Sequence, residues 1–561
     1  MTDTPTNVPQ RFNQLSAPLP VAQSLAQYEA IFPARNLPAG AEVARIAPSP
    51  TGMPHIGTAM QAVINRALAD KNGGVFILRI EDTDQKRYVP GAEEALVSSL
   101  NWLGTPPHEG PLGAGGNYGP YRQSDRLPLY KVAADHLLQQ GKAYRCFCCT
   151  ERLDMLRAEQ TAQGKVPGYD GHCRSIPAAE ATERAGKGES HVVRLRAPGA
   201  GRKLTFTDQV RGDITFDSGV VDDAVLLKSD GFPTYHLASV VDDHFMRVTT
   251  IVRGEEWISS TPKHKLIYEA FDWEMPKLLH TVLLRDEQKQ KLSKRNGDTS
   301  IAWFQDQGYV PEAFRNFMTR SIWAHPEGKD IYPFREFVDQ FSTSQLPATG
   351  PVADMKRLLS MNATYLAAYT PQQRSHAVLE YMDRLESRDT IPTTKPDNRP
   401  MLESREQFAG IHAEMKADPA YLERVMAVEP SRHQRLFDAT ANTAFYFAAG
   451  YKPATAEKLQ AVCSDTAKIP AILRGVSAID PAAVDGVAWD AALREVAASN
   501  GVKDKEVFML TRLAITGQER TPSIHAVAQV LGAETMRARI STHLPPTKMA
   551  ARPAASSSGP A

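Results

Sequence analysis

The stretch Arg45-Ile-Ala-Pro-Ser-Pro-Thr-Gly-Met-Pro-His-Ile-Gly-Thr58 decides the fold. An apolar run of strand length, Ala41-Glu-Val-Ala-Arg-Ile-Ala47, leads into it. Beyond it, Ala59, Met60, Val63, Ile64, Ala67 and Leu68 recur at helical spacing. The prolines between them hold the connection as a rigid turn. Gly73-Gly74 ends the helix, and Val75-Phe-Ile-Leu-Arg-Ile80 is a second apolar run of strand length. Strand, loop, helix and strand in this order open a parallel α/β sheet, so the expected fold is an α/β, Rossmann-like core. His55 and Gly57 fall in the first turn of the helix, where unbonded N–H groups and the positive dipole end suit a phosphate. An imidazole there can donate to a phosphoryl oxygen as charge builds in a transition state. By itself it could equally cap or pack. Gly57 would let a flat base approach the backbone.

Composition bounds what such a core can belong to. With 561 residues the chain has room for several domains. Apolar residues make up 42% and charged residues 23%, as in ordinary globular proteins. No apolar run approaches a membrane span. Lys+Arg and Asp+Glu both number 64, so any nucleic-acid surface must be local. The opening MTDTPTNVPQRFNQLS has no apolar stretch, which predicts no signal peptide and a cytoplasmic protein.

Further along, a helix is expected from Pro90 to Gly104, and Gly113–Gly119 reads as a plain loop because no strand precedes it. Strand-like runs resume at Ala224–Lys228, Tyr235–Val241 and Arg247–Arg253. From about residue 345 the pattern is mostly helical. Residues 1–40 read as an extension with a short helix near Leu25–Phe32, the ordered part starting at Ala41. Asp82, Asp84, Asp242 and Asp243 read as solvated carboxylates at strand ends rather than a two-metal site.

Two further clusters carry chemistry. Lys291-Leu-Ser-Lys-Arg295 sets three cations and a hydroxyl in a Gly-ended loop, which can grip a polyphosphate. Alone it would be a solvated basic loop. Four of the five cysteines, Cys146, Cys148, Cys149 and Cys173, fall close together, a spacing that suggests metal rather than disulfides.

Taken together, His55-Ile-Gly57-Thr58 and Lys291–Arg295 resemble the HIGH and KMSKS signatures of class I aminoacyl-tRNA synthetases, with Thr58, Leu292 and Arg295 as variants. Flanking segments RIAPSPT (Arg45–Thr51), FILRIEDTD (Phe76–Asp84), SDGFPTYHLASVVDD (Ser229–Asp243) and IVRGEEW (Ile251–Trp257) sharpen the resemblance to glutamyl-tRNA synthetases of bacterial type. It is strong over residues 41–370 and weak beyond. The resemblance implies ATP with Mg²⁺, L-glutamate and tRNA-Glu, with tRNA-Gln an open second substrate. Glutaminyl-tRNA synthetase, or a non-catalytic tRNA-binding paralogue, is the alternative.

By the same resemblance, His55, Lys291 and Lys294 are the catalytic residues. Thr51, Gly57, Glu256, Trp257, Leu284, Ser293 and Arg295 join them around ATP. Arg45, Ala47, Ser49, Glu81, Tyr235, Ser239 and Arg253 hold glutamate, Arg253 through a bidentate pair with the side-chain carboxylate and Glu81 through the α-amino group. Ser239 stands where relatives can have Asn. Cys146, Cys148 and Cys173 match three ligands of a zinc site known in one subgroup. Ser175 replaces its final histidine, which leaves Cys149 or His172 as the fourth ligand, or a remnant of a lost site. The expected organisation is a catalytic core at 41–124 and 233–257, split by an acceptor-end-binding insertion at 125–232. A stem-contact region at 258–370, a helical anticodon-binding region at 371–544 and a flexible tail at 545–561 follow. A monomer is expected.

Overall fold

The computed structural model describes residues 19–290, 292, 299–388 and 404–545. The chain divides into two compact units, Met1–Phe304 with Pro311–Met361, and Gln305–Val310 with Asn362–Ala561.

The first unit is built on β1 (Val43–Ile46) and β2 (Val75–Leu78), joined by the helix Ile56–Lys71. β1 and β2 pair in parallel from Val43↔Val75 to Ile46↔Leu78. The insertion supplies β3 (Ala143–Cys146), β4 (Val192–Leu195), β5 (Lys203–Asp208), β6 (Gly212–Asp217) and β7 (Val225–Leu227). β8 (Thr250–Gly254) and β9 (Lys277–Thr281) complete the set. The main sheet runs β2-β1-β8-β9-β5-β6, and β3-β4-β7 form a separate antiparallel sheet. β1, β8 and β9 pair in parallel, which makes the expected Rossmann-like core. Chain order reverses between β1 and β8, so their carboxyl ends open onto a crevice at a topological switch point. The core is Ile46, Ala62, Phe76, Leu78, Ile80 and Leu100 on one side of the strands, with Val240, Val241, Phe245, Ile251 and Ile267 in a larger cluster.

Three expectations are corrected. Tyr235–Val241 is not a strand: it opens the helix Tyr235–Phe245. A short apolar run cannot be told from a buried helix by periodicity, and here Leu237, Ala238, Val240, Val241 and Phe245 are all buried because the helix is covered on several sides. The ordered part does not begin at Ala41. Leu19, Tyr28 and Phe32 are buried, the helix Leu25–Ile31 packs Tyr28 edge-on to Phe245, and Arg35 forms a bidentate pair with Glu109. The segment lacks periodicity because it contributes two aromatic plugs, each contributing about 1.5–3 kcal/mol on burial, rather than an amphipathic face. Finally, residues 203–217, expected within the insertion at 125–232, stand in the core sheet: the β5–β6 hairpin extends it, β5 pairing in parallel with β9 at Asp208↔Leu278.

The second unit is helical among its described residues, with helices such as Pro371–Glu386, Arg405–Ala417, Gly486–Asn500 and Asp504–Thr516. Arg374 lies 2% exposed in it and donates to the carbonyls of Leu366 and Tyr369, meeting the unpaired C=O groups of a helix end. The expected tail lies outside the described residues except at its first position. Among the described residues no helix is long and apolar enough to cross a membrane.

Candidate active site

The crevice is a cleft of about 900 Å³. Arg45, Ala47, Ser49, Thr51, His55, Glu81, Tyr235, Arg253, Glu256 and Trp257 all line it. Residues scattered over more than two hundred positions are thus gathered by the strand ends.

His55 is the N-cap of the helix Ile56–Lys71. Its Nδ1 accepts the Gly57 N–H at 3.0 Å, and its own N–H donates to Thr58 Oγ1 at 3.4 Å. Accepting at Nδ1 puts the neutral ring's proton on Nε2, so the cap selects the tautomer that can donate. The geometry gives a separate reason for glycine at 57. A Cβ there would lie 2.8 Å from His55 Cε1, so a side chain would dislodge the ring. The Ile56 N–H donates to the Thr299 carbonyl at 2.9 Å, and Ile301 N–H to that of Pro54 at 3.0 Å. The segment following the basic loop is thereby zipped to the histidine turn. Lys291, Ser293, Lys294 and Arg295 themselves lie outside the described residues.

Behind the cleft floor is a buried ionic network. Arg45 reaches Asp243 with Nε at 2.9 Å and Nη2 at 3.2 Å. Arg79 donates to Asp243 at 2.6 Å and to Glu81 at 3.0 Å. Asp242 accepts from Arg126, Gln123 and Tyr130 at 2.7, 2.9 and 2.8 Å. Asp242 and Asp243 are 0% and 1% exposed and sit on a helix, so the reading of them as solvated strand-end carboxylates is wrong. Burial works against the charged form of Asp243, but Arg45 and Arg79 overcome it and hold its carboxyl below the usual range. At Glu81 burial wins over the same arginines and raises the carboxyl.

Arg253 differs from these arginines. It is 5% exposed at the carboxyl half of β8, and its partners are His280, His264 and Thr261. It forms no ion pair with any described carboxylate, although it lines the cleft. Tyr235 sets its ring 4.7 Å from that of Trp257, tilted by 42°, and burial raises its phenol. Three expected contacts are not on the cleft wall, Gly57 behind the His55 ring and two others. Ser239 is 1% exposed and lies one layer back, its hydroxyl 3.5 Å from Arg79. Leu284 is buried, its carbonyl accepting from Leu292 N–H at 3.0 Å.

The cysteine cluster is real in part. The Sγ atoms of Cys146, Cys148 and Cys173 gather in one group, the last two 3.5 Å apart. Cys149 is exposed at the start of the helix Thr150–Ala162, and neither it nor His172 belongs to the group. Beside the thiols stands Tyr169, whose Oη lies 3.3 Å from Cys146 Sγ and 3.5 Å from Cys148 Sγ. Sequence spacing pointed to thiols and imidazoles and gave no hint of a phenol. Three thiols and an oxygen at these separations fit a tetrahedral zinc.

The chain matches the family model described as tRNA synthetases class I (E and Q), catalytic domain, over residues 42–360, and an anticodon binding domain over 399–544. It is 48% identical over 518 residues to a glutamate–tRNA ligase of Gloeobacter violaceus, covering 92% of this chain and 97% of that one. It is 40% identical over 503 residues to a glutamate–tRNA ligase of Thermus thermophilus, covering 89% and 98%. A crystal structure of a glutamate tRNA ligase from Elizabethkingia meningosepticum, in complex with its amino acid, superposes with a TM-score of 0.73 at 29% identity, covering 89% of this chain and 98% of that one.

Proposed function

The chain belongs to the class I glutamate–tRNA ligases, and from that membership we propose how its own residues carry the reaction. L-Glutamate and ATP meet in the cleft at the switch point. The α-carboxylate attacks the α-phosphorus, diphosphate leaves, and the glutamyl group passes to the 3′ end of tRNA-Glu with release of AMP. No side chain need act as acid or base, because positioning and charge stabilisation suffice. His55 donates from Nε2 to the α-phosphoryl oxygens, and Lys291 and Lys294 stabilise the departing diphosphate. Thr51, Glu256, Trp257, Ser293 and Arg295 complete the ATP site, with Gly57 holding the His55 ring and Leu284 supporting the site from behind its wall. Mg²⁺, entering on the phosphates of ATP, supplies further charge neutralisation.

Glutamate is held by Arg253 at its side-chain carboxylate and by Glu81 at its amino group. Tyr235, Ser49 and the backbone at Ala47 are the walls. Arg45 acts with Asp243 behind it, and Ser239 acts through Arg79. The single observation that carries this assignment is that Arg253 is a buried cation, facing the cleft, with only neutral partners. An amide side chain would leave that charge unmatched, which argues against glutamine as the substrate.

Residues 41–124 and 233–257, with β9 and the β5–β6 hairpin that complete their sheet, form the catalytic core; the rest of 125–232 is the acceptor-end-binding part, the rest of 258–370 the stem-contact region and 371–544 the anticodon-binding region. Zinc, held by Cys146, Cys148, Cys173 and Tyr169, would tie the ends of a long loop together and has no part in the chemistry. The protein works as a cytoplasmic monomer. Aminoacylation by the full-length protein with purified tRNA-Glu and tRNA-Gln tests the reading. Glutamylation of tRNA-Glu is expected, and charging with glutamine in preference to glutamate would overturn it. Glutamylation of tRNA-Gln in the same assay decides whether the second tRNA is a substrate.

A further inference from the structure

Four guanidiniums, those of Arg45, Arg79, Arg126 and Arg253, are buried around or beneath the cleft. The first three are answered by carboxylates. Arg253 is held as firmly as they are, but by lone pairs. Its Nε donates to His280 Nε2 at 3.0 Å, its Nη2 to Thr261 Oγ1 at 2.7 Å, and its Nη1 faces His264 Nδ1 at 3.3 Å. A guanidinium can only donate, so both imidazole nitrogens must accept.

His280 can do so because of what stands behind it. Its Nδ1 lies 2.7 Å from Asp208 Oδ2, which also accepts the His280 backbone N–H at 3.0 Å. Asp208 Oδ1 accepts from Val210 and Arg211 N–H at 3.0 and 2.9 Å. With four N–H donors around it, the carboxylate has no use for a proton. Burial opposes its charge, but these bonds hold its carboxyl below the usual range. It therefore fixes the proton of His280 on Nδ1 and leaves Nε2 bare. The Arg211 guanidinium is itself taken by Glu255 at 2.7 Å and by the His280 carbonyl, and stands 3.8 Å from Asp208. The alignment is set by the sheet, since Asp208 at the end of β5 pairs with Leu278, two residues before His280 on β9. On the other flank, His264 accepts from Arg253 and so turns its Nε2–H to His236 Nδ1 at 3.1 Å. Burial lowers the basicity of both imidazoles, reinforced by Arg253 at His264 and, at His280, prevailing over the opposing bond to Asp208.

We propose that Asp208 and His280 are positioning residues that make Arg253 a selector for a carboxylate-ended side chain: His280, its tautomer set by Asp208, orients the guanidinium without neutralising it. A carboxylate in the place of His280 would orient Arg253 equally well but would occupy its charge, as Asp243 occupies that of Arg45. The inference rests on the reading above that the substrate's side-chain carboxylate binds Arg253.

The test compares His280→Gln and His280→Glu in the full-length protein, by aminoacylation of tRNA-Glu. Both are made together with Asp208→Asn, so that no carboxylate stands behind position 280; the two replacements then have nearly the same shape and both offer an oxygen to Arg253 Nε, but only the second brings charge. His280→Gln should keep the KM for glutamate within about threefold. His280→Glu should raise it by about 10²-fold, the scale of losing one buried charge pair, with the KM for ATP unmoved and the preference for glutamate over glutamine reduced. Equal glutamate KM in the two variants would overturn the proposal, because a merely structural histidine would not read the charge. Arg253→Ala is the control on the underlying reading. If it leaves the glutamate KM unchanged, the substrate assignment fails. If it raises the KM while the two His280 variants match, only the positioning role fails. Should neither His280 variant fold, the ¹⁵N shifts of the His280 ring in the unsubstituted protein decide: a bare Nε2 supports the proposal and a protonated Nε2 overturns it.

Discussion

His55 holds two posts at once, and they can be separated. As N-cap it takes the Gly57 N–H on Nδ1. As proposed transition-state donor it uses Nε2. His55→Ala removes both. Losing a cap costs about 0.5–2 kcal/mol of stability, and losing one preorganised donor to a developing oxyanion costs about 10²–10³ in kcat. His55→Asn separates them. Asparagine is among the best N-caps, and its Oδ1 can take the same backbone N–H. Its amide ends well short of the imidazole Nε2. The asparagine variant should therefore melt with the parent, whereas the alanine variant, in a unit of this size, loses about 1–2.5 °C. Both should lose about 10²–10³ in kcat, with glutamate KM nearly unchanged. The assays are thermal unfolding and aminoacylation of tRNA-Glu at saturating ATP. An asparagine variant with normal kcat would refute the donor role and leave His55 as a helix cap. Equal destabilisation in both variants would refute the tautomer argument, because it would mean that the Nδ1 bond is not what the imidazole contributes to the helix.

The other predictions bear on the pocket, the network, the metal and the tRNA. Arg253→Ala should weaken glutamate binding by about 2–5 kcal/mol and leave the KM for ATP in place. Asp243→Asn should destabilise the first unit by about 3–5 kcal/mol, since Arg45 and Arg79 both lose their shared anion. Because the folded carboxyl of Asp243 is lowered from 3.8, its contribution is complete above that pH and is lost as pH falls through the lower folded value. The gap between parent and variant in acid-unfolding curves should therefore close only in that strongly acid range. Elemental analysis of the native protein should find about one zinc per chain, and Tyr169→Phe should release it more readily to a chelator. Metal-free, stable, active protein would leave the cysteines as a remnant. Glutamate-dependent ATP–diphosphate exchange should be negligible without tRNA and appear when tRNA-Glu is added, an induced completion of the ATP site. Robust exchange in RNA-free protein would remove that coupling and leave the ligase assignment standing.

What could be read from the sequence was what is local. β1, the histidine helix and β2 lie within about forty residues, and each announces itself by periodicity, by glycines or by a cap. The helix Tyr235–Phe245 did not, because an element covered on several sides has no polar face to give its period away. The N-terminal aromatics did not either. Tyr28 and Phe32 matter only because Phe245 and Tyr118 wait for them more than eighty positions later.

The site divides in the same way, and the division has a physical cause. His55, Arg45, Glu81 and Arg253 could be named because each stands in a distinctive run of neighbours. What each does depends on partners that no run contains. Asp243 and Arg45 are 198 positions apart, and His280 and Asp208 are 72. An arginine in isolation is one positive charge, whether it will be spent on an aspartate or kept for a ligand. Pairing decides that, and pairing is settled by the sheet. β8 lies between β1 and β9, so Arg45 at the end of β1 faces the helix that carries Asp243, while Arg253 at the end of β8 faces His280 on β9. Exchange the histidine for an acid and the local motif around Arg253 would read the same, yet the pocket would have lost the charge that distinguishes one amino acid from its amide.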